Sequence, residues 1–169
     1  ELANKIRAIA GPAPVKIGII LGSGLGHLAG AVEGIAIPYD ELEGFPNPKV
    51  SGHNPNLVIG TLEGVRVAVF GGRAHYYETG RGDAMRLPLE VLKALGGHMI
   101  IATNSAGSLV PDMPTGSIMC LSDHINFSGL NPLIGAQTDA RFVPMKDCYD
   151  PTMRKVLTSS ALDMKVNMH

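Results

Sequence analysis

Tryptophan is absent from this chain, cysteine occurs twice, and the aromatic residues together make up 5% of it. Cys120 and Cys148 lie far apart and are too few to frame a disulfide-stapled fold. Such usage fits a reducing compartment, and a cytoplasmic protein is expected. The six histidines have neither the i, i+4 pairing nor the Cys-x-x-Cys neighbours that zinc sites use, so no metal is expected. Runs of lysine or arginine are also lacking. With a formal net charge of -1 and a pI near 6.7, the chain offers no broad basic surface, which argues against nucleic acid or an anionic membrane as partner. Apolar runs such as Val67 to Phe70 fall far short of the roughly 20 residues that span a bilayer. No signal-peptide pattern opens the sequence.

What is present describes a globular chain. At 169 residues, 45% hydrophobic and 17% charged, it is long enough for one domain, 1–169, with a substantial core. No repeat or linker divides it. The 21 glycines and 12 prolines predict many turns, as in a fold whose short strands end in functional loops.

Leu2, Ile6 and Ile9 recur at helical spacing, and Gly11-Pro12-Ala13-Pro14 stops that helix. Val15 to Leu21 reads as a buried strand of a mainly parallel sheet. It runs into Gly22-Ser23-Gly24-Leu25-Gly26, followed by a helix over Leu25 to Val32. Strand, glycine loop and helix together favour an anion, and Ser23 adds a hydroxyl donor. A dinucleotide fingerprint would need glycine where the chain has His27. Residues 38 to 55 read as a loop carrying His53.

Leu57 to Thr61 and Val65 to Phe70 flank Leu62-Glu63-Gly64 as a β-hairpin, whose second strand leads into Gly71-Gly72-Arg73-Ala74-His75-Tyr76-Tyr77-Glu78. If the backbone stays extended past the glycines, Arg73, His75 and Tyr77 share one face, with Glu78 placed to orient an imidazole or a guanidinium. A helix is expected over Asp83 to Leu95, with Pro88 in its first turn and Gly96-Gly97 ending it. His98 to Thr103 is the next buried strand and ends in Asn104-Ser105-Ala106-Gly107-Ser108, small residues that bring backbone close to a ligand. Ser117 to Leu121 reads as a further strand. Asp123 and His124, adjacent on extended chain, point opposite ways and are read as structural. Residues 127 to 149 are irregular, and Asp150-Pro151 caps a final helix. The fold class is α/β, with a mixed, largely parallel sheet flanked by helices. Its ligand crevice is expected outside the carboxyl ends of the strands, where the loops at Ser23, Arg73 and Ser105 can converge on a phosphate.

Leu-Gly-Ser-Gly-Leu-Gly at 21–26, Gly-Arg-x-His-x-Tyr-Glu at 72–78, Thr-Asn-Ser-Ala-Gly-Ser-Leu at 103–109 and Asp-His-Ile-Asn at 123–126 resemble, in order and spacing, the trimeric class of purine nucleoside phosphorylases. The resemblance implies the nucleoside phosphorylase-like fold. It also implies reversible phosphorolysis of purine (2′-deoxy)ribonucleosides to purine and (2-deoxy)ribose 1-phosphate, in purine salvage, with phosphate as co-substrate and no cofactor. By position, Ser23, His53, Arg73, His75 and the backbone N–H of Ser105 match the phosphate site, and His75 with Glu78 the catalytic pair. Tyr77 matches a ribose contact, Ala106 and Gly107 a wall of the base pocket, and Phe142 an aromatic that enters a neighbouring subunit's site, which implies a homotrimer. The family's purine-reading glutamate and asparagine, a further phosphate serine and a late histidine match nothing here. The chain therefore resembles the N-terminal three-fifths of such an enzyme, with the fold incomplete at its C-terminus. Methylthioadenosine phosphorylases, which lack the Tyr-Glu after Arg-x-His, hydrolytic nucleosidases and non-catalytic phosphate- or nucleotide-binding α/β modules are the alternatives.

Overall fold

A computed structural model describes residues 1–46 and 55–169, so His53 lies outside the described residues. The chain divides into two compact units, Glu1–Ser105 and Ala106–His169.

The first unit is built on a five-stranded sheet in the order β2-β3-β4-β1-β5. Its strands are β1 (Ile17–Ile20), β2 (Glu33–Pro38), β3 (Asn56–Leu62), β4 (Val65–Phe70) and β5 (Met99–Ala102). β1 pairs in parallel with both β4 and β5, whereas β2-β3 and β3-β4 are antiparallel, so the sheet is mixed as expected. Leu62 faces Val65 across the β3-β4 turn, leaving Glu63 and Gly64 as its two central residues. Their φ angles, 47° and 75°, are both positive, the geometry that matches strand twist in a two-residue hairpin, and Gly64 adopts it without a Cβ clash.

β3 and β4 are covered on both faces, which is why these strands are apolar without clean alternation. Leu57, Ile59, Ala68 and Phe70 project into one buried cluster with Ile6 of α1 (Leu2–Ala10), Tyr39, Leu42 and Phe45, and with Val91 and Leu92 of α3 (Arg86–Ala94). Val58, Val67 and Val69 project the other way, against Ala29 and Val32. Each such side chain, taken out of water, contributes about 1.5–3 kcal/mol to folding. Helix ends are closed by side chains and turns. Arg66 of β4 donates to the carbonyls of Ala10, Gly11 and Ala13, holding the end of α1 and the turn after it. At the end of α3, Gly96 N–H donates to Lys93 O and Gly97 N–H to Leu92 O, a Schellman closure.

Several expectations are corrected. The glycine-loop helix is a 3₁₀ helix, Gly26–Ala31, and it leads into β2, a strand that the local sequence pattern does not predict. The extended course past Phe70 is broken by a one-turn helix, α2 (Tyr76–Thr79). β5 is an edge strand among the described residues, and it is not buried on both faces: its residues alternate between half-buried and exposed, with Ile100 47% exposed.

In the second unit, Ser117 to Leu121 forms no strand and makes one isolated bridge, Ile118 to Met168. A lone bridge forms because no neighbouring extended segment continues the ladder among the described residues. Helix α4 (Pro151–Asp163) starts as expected: the Asp150 carboxylate accepts the N–H groups of Thr152 and Met153 at 2.8 and 2.9 Å, with proline at the first helical position.

Candidate functional site

Because β4, β1 and β5 run parallel in register, Phe70, Ile20 and Ala102 stand side by side and the three loops leave the sheet at one edge. Main-chain bonds carry the pairing past the strands, from Leu21 N–H to Phe70 O and from Thr103 N–H to Ile20 O, both at 3.0 Å. Thr103 is the knot. Its hydroxyl accepts the Gly22 N–H at 2.8 Å and donates to Ile20 O at 3.2 Å, while its carbonyl accepts an N–H of the Arg73 guanidinium at 2.6 Å. The Ser23, Arg73 and Ser105 loops are therefore tied to one residue. Gly22 suits this approach, since a Cβ there would sit 2.7 Å from Thr103 O.

Ser23 and Ser105 are exposed beside this knot, and Arg73 and His75 are half-buried. Arg73 has five N–H donors, of which the bond to Thr103 uses one; the others make no hydrogen bond among the described residues. A planar, permanently charged fork held by one tine is suited to an oxyanion.

The segment after Arg73 is fixed by a capping box. His75 precedes α2; its backbone N–H donates to Glu78 Oε1 at 2.8 Å, and its ring accepts the N–H of Glu78. Glu78 thus holds His75 through both main chain and side chain. Although the chain is helical here, the His75 and Tyr77 rings come together, stacked at 4.9 Å with their planes nearly parallel at 11°. His75 and Tyr77 still share a side, for a different reason from the extended alternation expected of them. Tyr77 is 74% exposed.

Tyr39 was not foreseen. Buried to 3% exposure against Phe45, it donates its hydroxyl to Gly72 O at 2.9 Å, directly before Arg73. Burial raises its phenol well above the ordinary value, the Gly72 bond offsetting only part of that, so it stays a neutral donor through the neutral range. No short motif announces such a residue. Thr103 lay inside a motif read for its small residues, and its role emerges only from the register of three strands.

Ala106, Gly107 and Phe142 belong to the second unit, where Phe142 is 72% exposed beneath the Arg141 guanidinium at 4.8 Å. There, too, the His124 ring meets the Tyr149 hydroxyl at 3.2 Å. Among the described residues no group of three or more His, Cys, Asp or Glu side chains could hold a metal ion, and no helix is long and apolar enough to cross a membrane.

Purine nucleoside phosphorylase 1 of Bacillus subtilis is 42% identical over 159 residues, covering 92% of this chain and 59% of the relative. The Geobacillus stearothermophilus protein of the same name is 44% identical over 157 residues, covering 90% and 57%. A crystal structure of a purine nucleoside phosphorylase in complex with ribose 1-phosphate superposes with a TM-score of 0.88 at 36% identity, over 99% of this chain and 65% of that one. The Schistosoma mansoni enzyme in complex with inosine superposes at 0.84 and 35% identity, over 99% and 62%. The chain thus spans less than two-thirds of the length of these relatives. Residues 16–169 match the model of the phosphorylase superfamily, and with the glycine loop, the arginine fork and the Thr103 knot all inside the matched span, the chain belongs to that superfamily.

Proposed function

We propose that this chain carries the phosphate side of a purine nucleoside phosphorylase, which reversibly converts a purine (2′-deoxy)ribonucleoside and phosphate into purine and (2-deoxy)ribose 1-phosphate. The observation that carries the reading is the junction at Thr103, which ties Arg73 to the Ser23 and Ser105 loops at one sheet edge. Phosphate is held there by the Ser23 hydroxyl, the Arg73 donors that the Thr103 bond leaves over, the Ser105 N–H and the imidazoles of His75 and His53, the last outside the described residues.

The chemistry follows from charge. As the glycosidic bond lengthens, its electron pair moves onto the purine nitrogen and the sugar becomes oxocarbenium-like. A phosphate oxygen below the anomeric carbon stabilises that cation and then bonds to it, while the purine nitrogen takes up, through solvent, the proton that hydrogen phosphate gives up. A fixed cradle supplies proximity and a preorganised field. Tyr77, beside His75, is the ribose contact; Ala106 and Gly107 line the base. The superfamily match runs through both units, which supports reading 1–169 as one α/β domain. The exposed Phe142 supports a homotrimer in which it completes a neighbour's site. The two free thiols support a cytoplasmic setting.

The test uses the complete gene product with inosine, with and without phosphate. Hypoxanthine is expected only with phosphate; equal release without it would make the enzyme a hydrolase and overturn the reading. Arg73→Ala should raise the phosphate KM by about 10- to 100-fold, since each charge-assisted bond contributes about 1.5–3 kcal/mol, and leave the nucleoside KM nearly unchanged. Phe142→Ala should lower activity in a sedimenting trimer, and a fully active monomer would refute that role.

A further inference from the structure

Outside every motif described above, Tyr39 sits where the loop bearing Arg73 leaves the sheet. Three bonds meet there: the Tyr39 hydroxyl to Gly72 O at 2.9 Å, the Gly71 N–H to Asn56 O at 2.9 Å, and the Tyr39 N–H to Pro55 O at 2.8 Å. Gly71 and Gly72 are buried, so their peptides have protein rather than water around them. The Tyr39 ring is seated edge-on against Phe45, centroids 5.3 Å apart at 67°, which fixes its rotamer and the direction of the hydroxyl.

We propose that Tyr39 is a positioning residue for the phosphate site: its hydroxyl fixes the Gly72 peptide from which Arg73 departs, and its main chain links that peptide to the segment beginning at Pro55. The proposal rests on the phosphorylase reading above. Arg73 is anchored twice, at its tip by Thr103 O and at its root by Tyr39 through Gly72. A side chain held at the tip alone can still swing if its peptide plane turns, and a misplacement near 1 Å can lower a rate about 100-fold. Gly residues make the turn easy, because neither Gly71 nor Gly72 has a Cβ to resist it. Tyr39 supplies the restraint that the two glycines omit.

The variant Tyr39→Phe keeps the ring and removes only the hydroxyl. In the full-length enzyme it should raise the phosphate KM at least fivefold while the nucleoside KM stays within twofold. In an Arg73→Ala background the same change should add less than twofold, because its effect passes through Arg73. Equal shifts in both KM values, or a lower melting temperature with the phosphate KM unchanged, would reduce Tyr39 to a packing residue and overturn the proposal. Should Tyr39→Phe not fold, Phe45→Leu keeps the hydroxyl but loosens its seat; it must raise the phosphate KM at least twofold with the nucleoside KM unchanged, and a flat result overturns the proposal. If the wild-type enzyme proves indifferent to phosphate, the functional reading fails by itself. Amide exchange then decides the positioning role: Gly71 N–H should exchange at least tenfold faster in Tyr39→Phe, and an unchanged rate refutes it.

Discussion

Replacing Gly22 by alanine is a small change aimed at the tightest point of the site. The new Cβ would stand 2.7 Å from Thr103 O and 3.1 Å from both Thr103 C and Asn104 Cα, inside the 3.4 Å at which ordinary contact begins. All three neighbours are backbone, so no flexible side chain can step aside. Gly22 is outside the left-handed region, so the effect is steric rather than torsional. Overpacking of this kind costs about 1–3 kcal/mol. Stretching the 2.8 Å bond from Gly22 N–H to the Thr103 hydroxyl removes part of about 1 kcal/mol more. A loss near 2–3 kcal/mol should lower the melting temperature by about 5–10 °C. Because Arg73 hangs on the displaced Thr103 carbonyl, the phosphate KM should rise about tenfold as well. Differential scanning calorimetry and initial rates at varied phosphate measure both. Gly30→Ala is the control, with nothing within 4 Å of its added methyl, and should stay within about 0.5 kcal/mol of the parent. A Gly22→Ala enzyme as stable as that control, with an unchanged phosphate KM, would refute the knot as described.

Two further outcomes concern stability. Arg66→Ala leaves the carbonyls of Ala10, Gly11 and Ala13 to water and should cost about 1–2 kcal/mol in urea unfolding, with faster amide exchange in α1; unaltered exchange in α1 would show that the anchor is idle. Tyr39, whose phenol is raised by burial, keeps its proton in the folded state after the unfolded chain has lost it, near pH 10. Stability from this group is thus full below pH 10 and falls as pH rises toward the folded value, by about 1.4 kcal/mol per pH unit. Tyr39→Phe should flatten the alkaline limb of the stability profile by that slope, and an identical limb in both proteins would be incompatible with a buried, neutral Tyr39.

Local signals were the legible ones. The Glu63-Gly64 hairpin, the Asp150-Pro151 cap and the stop of α3 at Gly96-Gly97 are written within a few residues, and the structure follows them. Strand ends rich in glycine and small residues mark β1, β4 and β5 as supports of the candidate site, and the parallel register brings their carboxyl ends together. Illegible features needed distant partners. Glu33–Pro38 is a strand because β3 pairs with it residue for residue, and its own sequence, with a glycine and a terminal proline, says little. α2 escaped notice because its cap is a histidine answered by Glu78, a pairing that alternation across two glycines concealed. Ser117 to Leu121 shows the converse, β-forming residues that find one bridge and no ladder.

β5 has a consequence for handling the polypeptide. Among the described residues no strand pairs its outer edge, beside Met99-Ile100-Ile101-Ala102, a segment without charge or proline, in a chain that also leaves Leu109, Ile125 and Phe127 largely exposed. Edges of that kind template the pairing of one chain with the next. The 169-residue polypeptide in isolation should therefore associate through this edge as its concentration rises, and Ile100→Lys is the single change best placed to disperse it.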